Sequence, residues 1–258
     1  MNINIKTPEE IIAMREGGKI LASILTEVAT LAVPGKTTLD LENRAQELFQ
    51  KHNVIPTFQG YHGFPAALCT SVNDEVVHTI PSAKRSFKNG DLLSIDCGVT
   101  HKGLITDSAI AIVIGNPEDE EAREAAFLRK VCVRALWNGI KQVRPGTRFG
   151  DISHAIGKTV KDAGCSVVKE LTGHGVGHTL HEDPCIPNYG KRNTGPALKP
   201  GMTFALEPII TMDGPKTRTL EDGWNIITQD GSLACQHEHT ILVTETGYEV
   251  LTLRENEI

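Results

Sequence analysis

Apolar residues recur at helical spacing through Ile11, Leu21, Leu25 and Val28, behind a TPEE stretch (residues 7–10) that reads as a capping box with Pro8 at the first helical position. This predicts a helix that stops near the VPGK turn at 33–36. A second, shorter helix is predicted from Thr37 and Asp40 to His52 and Asn53, and two more over residues 117–140 and 149–164. Elsewhere the pattern shortens to strand-like runs at 91–99, 103–114, 202–212, 224–229 and 238–244, punctuated by the turn signals HKG, QDGS and ETGY. Helices mixed with antiparallel strands give an α+β fold.

The pattern also repeats. Shifting the chain by 111 lays VPGKTTLDL (33–41) on RPGTRFGDI (144–152), and the same shift lays NGDLLSID (89–96) on PGMTFALE (200–207). Each half then reads helix, Pro-Gly turn, helix, later strand, and no Ser/Gly tract or low-complexity segment separates them. The expectation is one domain over residues 1–258 made of two similar halves that share a core. Under this shift Asp96 superposes on Glu207, so both halves deliver a carboxylate from the same strand position.

Composition narrows the functional classes. With 258 residues and 40% hydrophobic content the chain can bury a sizeable core. A net charge of -6 and a pI near 5.9 give no overall attraction to nucleic acid or anionic membrane. The N-terminal MNINIKTPEE lacks an apolar signal core and no run approaches a membrane span, so a soluble cytoplasmic protein is expected. Cysteines 69, 97, 132, 165, 185 and 235 form no CxxC pair, which suggests reduced thiols and neither a zinc ribbon nor a disulfide framework.

The candidate chemistry lies in SIDCGVTHKGLITDSA (94–109), an apolar hairpin that carries Asp96 and Asp107. A tight turn at His101 and Lys102 would set the two aspartates directly opposite each other. Opposed Cβ atoms are about 4.5–5.5 Å apart, and two full charges there repel by roughly 3 kcal/mol at an effective dielectric of about 20. A shared proton, a basic side chain, a cation, or a bulge that misaligns the pair would each relieve the conflict. Glu207 in FALEP and Glu238 in QHEHT also adjoin strand-like segments, and His174 lies in the glycine-rich GHGVGHTLHEDP. His174 and His178 have the i,i+4 spacing of a helical zinc site, but the glycines oppose a helix and no glutamate lies between them. Four carboxylates and an imidazole are a hard, oxygen-rich set suited to a pair of divalent ions, Mn²⁺, Fe²⁺, Co²⁺ or Zn²⁺. Two ions about 3.5–4 Å apart share bridging carboxylates, which explains more ligands than one tetrahedral ion needs.

These residues resemble the type I methionine aminopeptidases, of the pita-bread fold. Asp96 in SIDCG, Asp107 in ITDSA, His174 in GHGVG, Glu207 in FALEP and Glu238 in QHEHT match that family's five metal ligands in order and type. The resemblance runs from about Thr7 to the C-terminus. It implies that Asp107 and Glu238 bridge two metal ions, that Asp96 holds one and that His174 with Glu207 holds the other. It further implies that His181 (LHEDP) stabilises the oxyanion of the scissile carbonyl, that His78 (VNDEVVHTIP) assists the leaving nitrogen, and that Glu207 shuttles protons. Tyr61, His62, Phe64, Cys69 and Trp224 would surround the methionine side chain, with Phe58 and Leu180 as further walls. At the Phe58, Phe64 and Leu180 positions well-known bacterial members carry Cys, Tyr and Phe, and His178 fills a slot often held by Arg.

The implied reaction is removal of the initiator methionine, with a small second residue preferred, by metal-activated water. Expected partners are nascent polypeptides with N-terminal methionine, met in transient contact with the ribosome, with a monomeric protein and no membrane or specific nucleic acid partner. An Xaa-Pro peptidase shares the ligand pattern but usually carries an extra N-terminal domain, and here the pattern starts almost at residue 1. Noncatalytic pita-bread binding modules, such as a ribosome or nucleic-acid partner, can lack metal ligands, and none of the five is missing here.

Overall fold

The computed structural model describes residues 2–255 and 257. Among the described residues four helices follow the apolar periodicity, α1 (Pro8–Thr30), α2 (Thr38–His52), α3 (Arg123–Ile140) and α4 (Phe149–Asp162), and threonine caps open α1 and α2. At α1 the Glu10 amide donates to the Thr7 hydroxyl while the Thr7 amide donates to the Glu10 carboxylate, satisfying two groups that a helix start would orphan. Thr37 and Asp40 do the same for α2, which ends on Asn53 in the left-handed region. α3 begins later than the apolar pattern predicts. The Asn116 side chain accepts from the Glu118 amide and donates to Asp119, offering the backbone a local alternative to helix, and a 3-10 turn Glu120–Ala122 precedes Arg123.

Among the described residues the strands form four antiparallel sheets. One centres on Leu92–His101, which pairs with Leu104–Val113 on one side and with Leu68–Val72 and Ile55–Pro56 on the other. A five-stranded sheet runs Tyr248–Val250, His239–Val243, Thr203–Leu206, Thr172–Gly175, Glu182–Pro187. Segment 202–212 is not one strand: Thr203–Leu206 and Ile209–Thr211 belong to different sheets, and the break falls at Glu207 and Pro208, where proline has no N–H for a ladder.

Strand alternation sorts the side chains. Leu93, Ile95, Cys97 and Val99 face a helix-side core with Leu21, Leu25, Leu41 and Leu48 of α1 and α2. Phe204, Leu206, Ile241 and Val243 face a second such core with Leu128, Leu136, Ile152 and Ile156 of α3 and α4. Residues of the other parity, Asp96, Ala205, Glu207, Glu238 and Thr240 among them, therefore turn to the sheet face away from the helices. Each apolar side chain withdrawn from water on the helix side contributes about 1.5–3 kcal/mol. A register slip by one residue would exchange the two faces, so this burial fixes where the carboxylates point.

The hairpin turns one residue later than expected. His101 pairs with Leu104, leaving Lys102 and Gly103 as the two-residue loop, both at positive φ (51° and 78°). A primed hairpin turn needs positive φ at both central residues, a demand that Lys102-Gly103 meets better than His101-Lys102. Asp96 consequently faces Ala109 and Asp107 faces Gly98, so the aspartates are diagonal neighbours on one face and not direct opposites.

Local features recur at the shift of 111. The bridge Thr37–Ser86 has a counterpart in Arg148–Ala197, and the Gly35 and Gly146 turns (φ 87° and 86°) each donate across to residues 87 and 198.

Candidate metal centre

Asp96 and Asp107 come from the paired strands of the first sheet. His174 lies in Thr172–Gly175, Glu207 directly follows Thr203–Leu206, and Glu238 directly precedes His239–Val243. All five are buried, with 1–8% of their surface exposed, and all line one cavity of about 690 Å³. Ligating atoms of Asp107, His174 and Glu238 lie within 4.8 Å of one another. The glycines beside His174 serve close packing: a Cβ on Gly175 would stand 2.3 Å from the Asp183 carbonyl oxygen. Thr172–Gly175 is a strand, so His174 and His178 do not share a helix face; His178 pairs with Glu10 instead.

His174 fixes its own tautomer. Its Nδ1 lies 2.9 Å from the Gly175 carbonyl oxygen, which can only accept, so Nδ1 carries the proton. Burial, reinforced by His181, lowers its pKa to about 4, so the ring is neutral and Nε2 presents a bare lone pair. That lone pair faces carboxylate oxygens of Glu207 at 3.4 Å and Asp107 at 3.9 Å. Such acceptors facing one another call for a cation between them, and a backbone-anchored Nδ1–H is the usual support of a metal-bound imidazole.

The acids state the same demand. Burial raises the Asp96 carboxyl to about 7. Burial first, then the charges of Asp96 and Glu207, raise Asp107 well above the usual range; Glu207 and Glu238 rise likewise through burial and their acidic neighbours. Asp96 Oδ1, Asp107 Oδ1 and Glu238 Oε1 are buried without a hydrogen-bond partner. Unpaired buried carboxylate oxygens are costly, and these converge with a bare imidazole nitrogen, so the donor set fits divalent cations. A second convergence, of His237, His239 and Glu257, is already served by a protein cation: the Arg254 guanidinium donates to Glu257 at 2.6 Å and lies 3.2 Å from His237 Nε2.

Gln236, passed over in the sequence as a flank of Glu238, belongs to the centre. Its amide nitrogen donates to Asp96 at 3.1 Å and to Glu207 at 3.3 Å, linking the two acids that the 111-residue shift superposes. Its position two residues before Glu238 is the signal that strand alternation offered. Asn188 adds a bond to the Glu207 carbonyl oxygen. Replacing Gln236 with Leu is expected to weaken metal binding by about 10- to 100-fold, measured by isothermal titration of Mn²⁺. An unchanged affinity would remove Gln236 from the centre.

The remaining expected residues line the same cavity: Phe58, Tyr61, His62, Phe64, Cys69, His78, Leu180, His181 and Trp224. Phe64 meets Trp224 edge to face at 5.2 Å, and Phe58, Cys69 and Leu180 are buried beside them, giving an apolar wall next to the acids. Burial raises the Cys69 thiol well above its ordinary value, with the charges of Asp96 and Asp107 adding to it, so this thiol is a wall and no nucleophile. His78 and His181 are held below the ordinary imidazole pKa by burial first, then by a neighbouring imidazole, and are neutral donors or acceptors at neutral pH. His78 takes a left-handed φ of 59°, strained for a residue with a Cβ.

The loop carrying His181 is anchored from below. The buried Lys6 ammonium donates to Glu182 at 2.8 Å, Asn4 donates to the same oxygen, and the His178 and Thr179 amides donate to the other oxygen. Burial pushes the Glu182 carboxyl up, but the bonds from Lys6 and Asn4 prevail and hold it below its usual value.

Helix-backed antiparallel sheets whose other face gathers four buried carboxylates and an imidazole define a metallopeptidase of the pita-bread class, and the chain belongs to metallopeptidase family M24, whose profile matches residues 12–245. Within it the chain groups with proteins named methionine aminopeptidase. That of Clostridium acetobutylicum is 43% identical over 98% of this chain and 100% of its own length, and that of Escherichia coli is 37% identical over 100% and 96%. The crystal structure of the Thermotoga maritima methionine aminopeptidase superposes with a TM-score of 0.94 at 45% identity, covering 98% of this chain and 100% of that one. A prolidase from Pyrococcus furiosus, at 23% identity and a TM-score of 0.76, shares the fold.

Proposed function

We propose that the chain is a methionine aminopeptidase that hydrolyses the first peptide bond of polypeptides beginning with methionine, preferring a small second residue. The reading rests chiefly on His174 Nε2, a bare nitrogen set against carboxylate oxygens 3.4 and 3.9 Å away, in a cavity that Phe58, Phe64, Leu180 and Trp224 also wall. Residues 1–258 act as one catalytic domain of two related halves. Asp107 and Glu238 would bridge two divalent ions drawn from Co²⁺, Mn²⁺, Fe²⁺ and Zn²⁺, with Asp96 on one ion and His174 and Glu207 on the other. Such ions activate water toward a pKa of about 7 and polarise the scissile carbonyl.

The chain's own groups do the rest. Tyr61, His62, Phe64, Cys69 and Trp224, with Phe58 and Leu180, hold the methionine side chain, and the acids receive the substrate's α-ammonium. His181 donates to the carbonyl oxygen as it gains charge, His78 assists the departing nitrogen, and Glu207 takes the proton of the attacking water and delivers it to that nitrogen. The enzyme works as a cytoplasmic monomer, meeting its substrates as they leave the ribosome. No helix of the described residues is long and apolar enough to cross a membrane.

Incubating protein loaded with Mn²⁺, Fe²⁺, Co²⁺ or Zn²⁺ with Met-Ala, Met-Leu and Xaa-Pro peptides, read by mass spectrometry, tests this. Met-Ala is expected to be cleaved faster than Met-Leu. Failure to release methionine from either would sink the reading, and faster cleavage of Xaa-Pro peptides would move the chain to the prolidase activity.

A further inference from the structure

We propose that Tyr61 is a positioning residue for His181, its phenol donating to Nδ1 so that the proton sits on Nε2 and the imidazole offers an N–H to the scissile carbonyl oxygen. The proposal rests on the aminopeptidase reading and adds a coupling to it: one side chain both walls the methionine pocket and sets the tautomer of the oxyanion donor.

The Tyr61 hydroxyl and His181 Nδ1 are 2.8 Å apart. A neutral imidazole carries one N–H, and the partner of one nitrogen decides which nitrogen bears it. A phenol is a strong donor and a weak acceptor, while a bare imidazole nitrogen is a strong acceptor, so O–H to Nδ1 is the favoured direction. The His181 ring is also held on a second side, packed against the His174 ring with centroids 4.3 Å apart at 66°. Rotation of the imidazole would therefore cost both contacts.

The two partners stand on separately built loops. Tyr61 opens the 3-10 turn Tyr61–Gly63, closed by bonds from the Gly60 amide to the Phe64 carbonyl and from the Tyr61 amide to the Phe58 carbonyl. This loop therefore fixes three pocket walls, Phe58, Tyr61 and Phe64, as one unit. His181 belongs to the loop that Glu182 and Lys6 anchor. The Tyr61–His181 bond joins side-chain recognition to carbonyl activation. A side chain that displaces the Tyr61 ring would release His181, so ill-fitting first residues would lose turnover as well as affinity.

The test uses Tyr61→Phe, which keeps the ring and removes the hydroxyl, on full-length zinc-loaded protein. Nitrogen-15 NMR of the histidine side chains, with the His181 signal assigned by its loss in His181→Ala, should place the proton on Nε2 in the parent and give a mixed tautomer in Tyr61→Phe. On a Met-Ala peptide kcat should fall about tenfold with KM within about twofold, less than the 10²- to 10³-fold typical of losing an oxyanion donor outright. In the His181→Ala background the same substitution should change kcat no further, which a merely structural loss would not reproduce. A proton on Nδ1 in the parent, an unchanged tautomer in Tyr61→Phe, or an undiminished effect in the His181→Ala background would each overturn the proposal. Absence of any methionine release would count against the aminopeptidase reading, while the NMR result would still decide the hydrogen bond.

Discussion

Replacing Asp107 with alanine is expected to cut methionine release from a Met-Ala peptide by about a thousandfold or more, because the variant should no longer hold two ions and activate water between them. Asp107 is the carboxylate best placed to reach both halves of the centre: it neighbours Asp96 diagonally across the hairpin and its Oδ2 lies 3.9 Å from His174. The same substitution should leave the chelated protein at least as stable as the parent. Asp107 is buried, its pKa is raised by burial and by Asp96 and Glu207, and one oxygen has no partner, so its removal relieves a cost borne only for the metal. Peptide mass spectrometry, metal analysis and thermal unfolding after chelation read the three consequences. A variant that keeps both ions and full turnover would refute the bridging assignment.

Removing the metal should make stability depend on pH in a direction unusual for acids. In the unfolded chain carboxyls ionise near pH 4. Burial raises Asp96 to about 7 in the folded protein, and Asp107, Glu207 and Glu238 also rise, through burial and through one another's charge. Below about pH 4 both states are protonated and nothing is lost. Above it the unfolded state releases protons that the metal-free folded state retains, so stability falls as pH rises toward 7. The shift at Asp96 alone, from 3.8 to about 7, corresponds to on the order of 4 kcal/mol. Glu257, held low against burial by His237, His239 and Arg254, stabilises above its unfolded pKa, and that contribution is lost only as pH falls below about 4. Below about pH 6.5 the buried neutral His174, His78 and His181 act in the opposite direction, so the fall is read above it: the unfolding midpoint of chelated protein should drop by roughly 3–10 °C between about pH 6.5 and pH 8. Metal-loaded protein, its acids ionised on binding, should show no such fall. A flat or rising midpoint after chelation would contradict the raised carboxyls.

The helices and most strands were legible because caps and apolar periodicity act locally: TPEE and Thr37 with Asp40 each specify a helix start in four residues. The centre was legible for a different reason, since Asp96, Asp107, Glu207 and Glu238 are charges set in apolar strand-like segments where a solvent-facing role is hard to sustain. Two features were not. The hairpin register depended on which residues adopt positive φ, and Lys102-Gly103 met that requirement one residue beyond the expected turn. Segment 202–212 read as a continuous strand because its apolar run ignores Pro208, whose missing N–H helps end the ladder beside Glu207. Gln236 escaped because a neutral amide carries no electrostatic conflict, and the Tyr61–His181 contact escaped because 120 residues separate its partners.

The four acids and one imidazole are strung along the chain from residue 96 to residue 238, and the face that gathers them draws on strands backed by both helix-side cores. The core built from α1, α2 and their sheet supplies only Asp96 and Asp107 of this set. On the proposed ligand set, hydrolysis therefore needs both halves. A chain ending before Glu238 is therefore expected to release no methionine from a Met-Ala peptide, however well its first half packs.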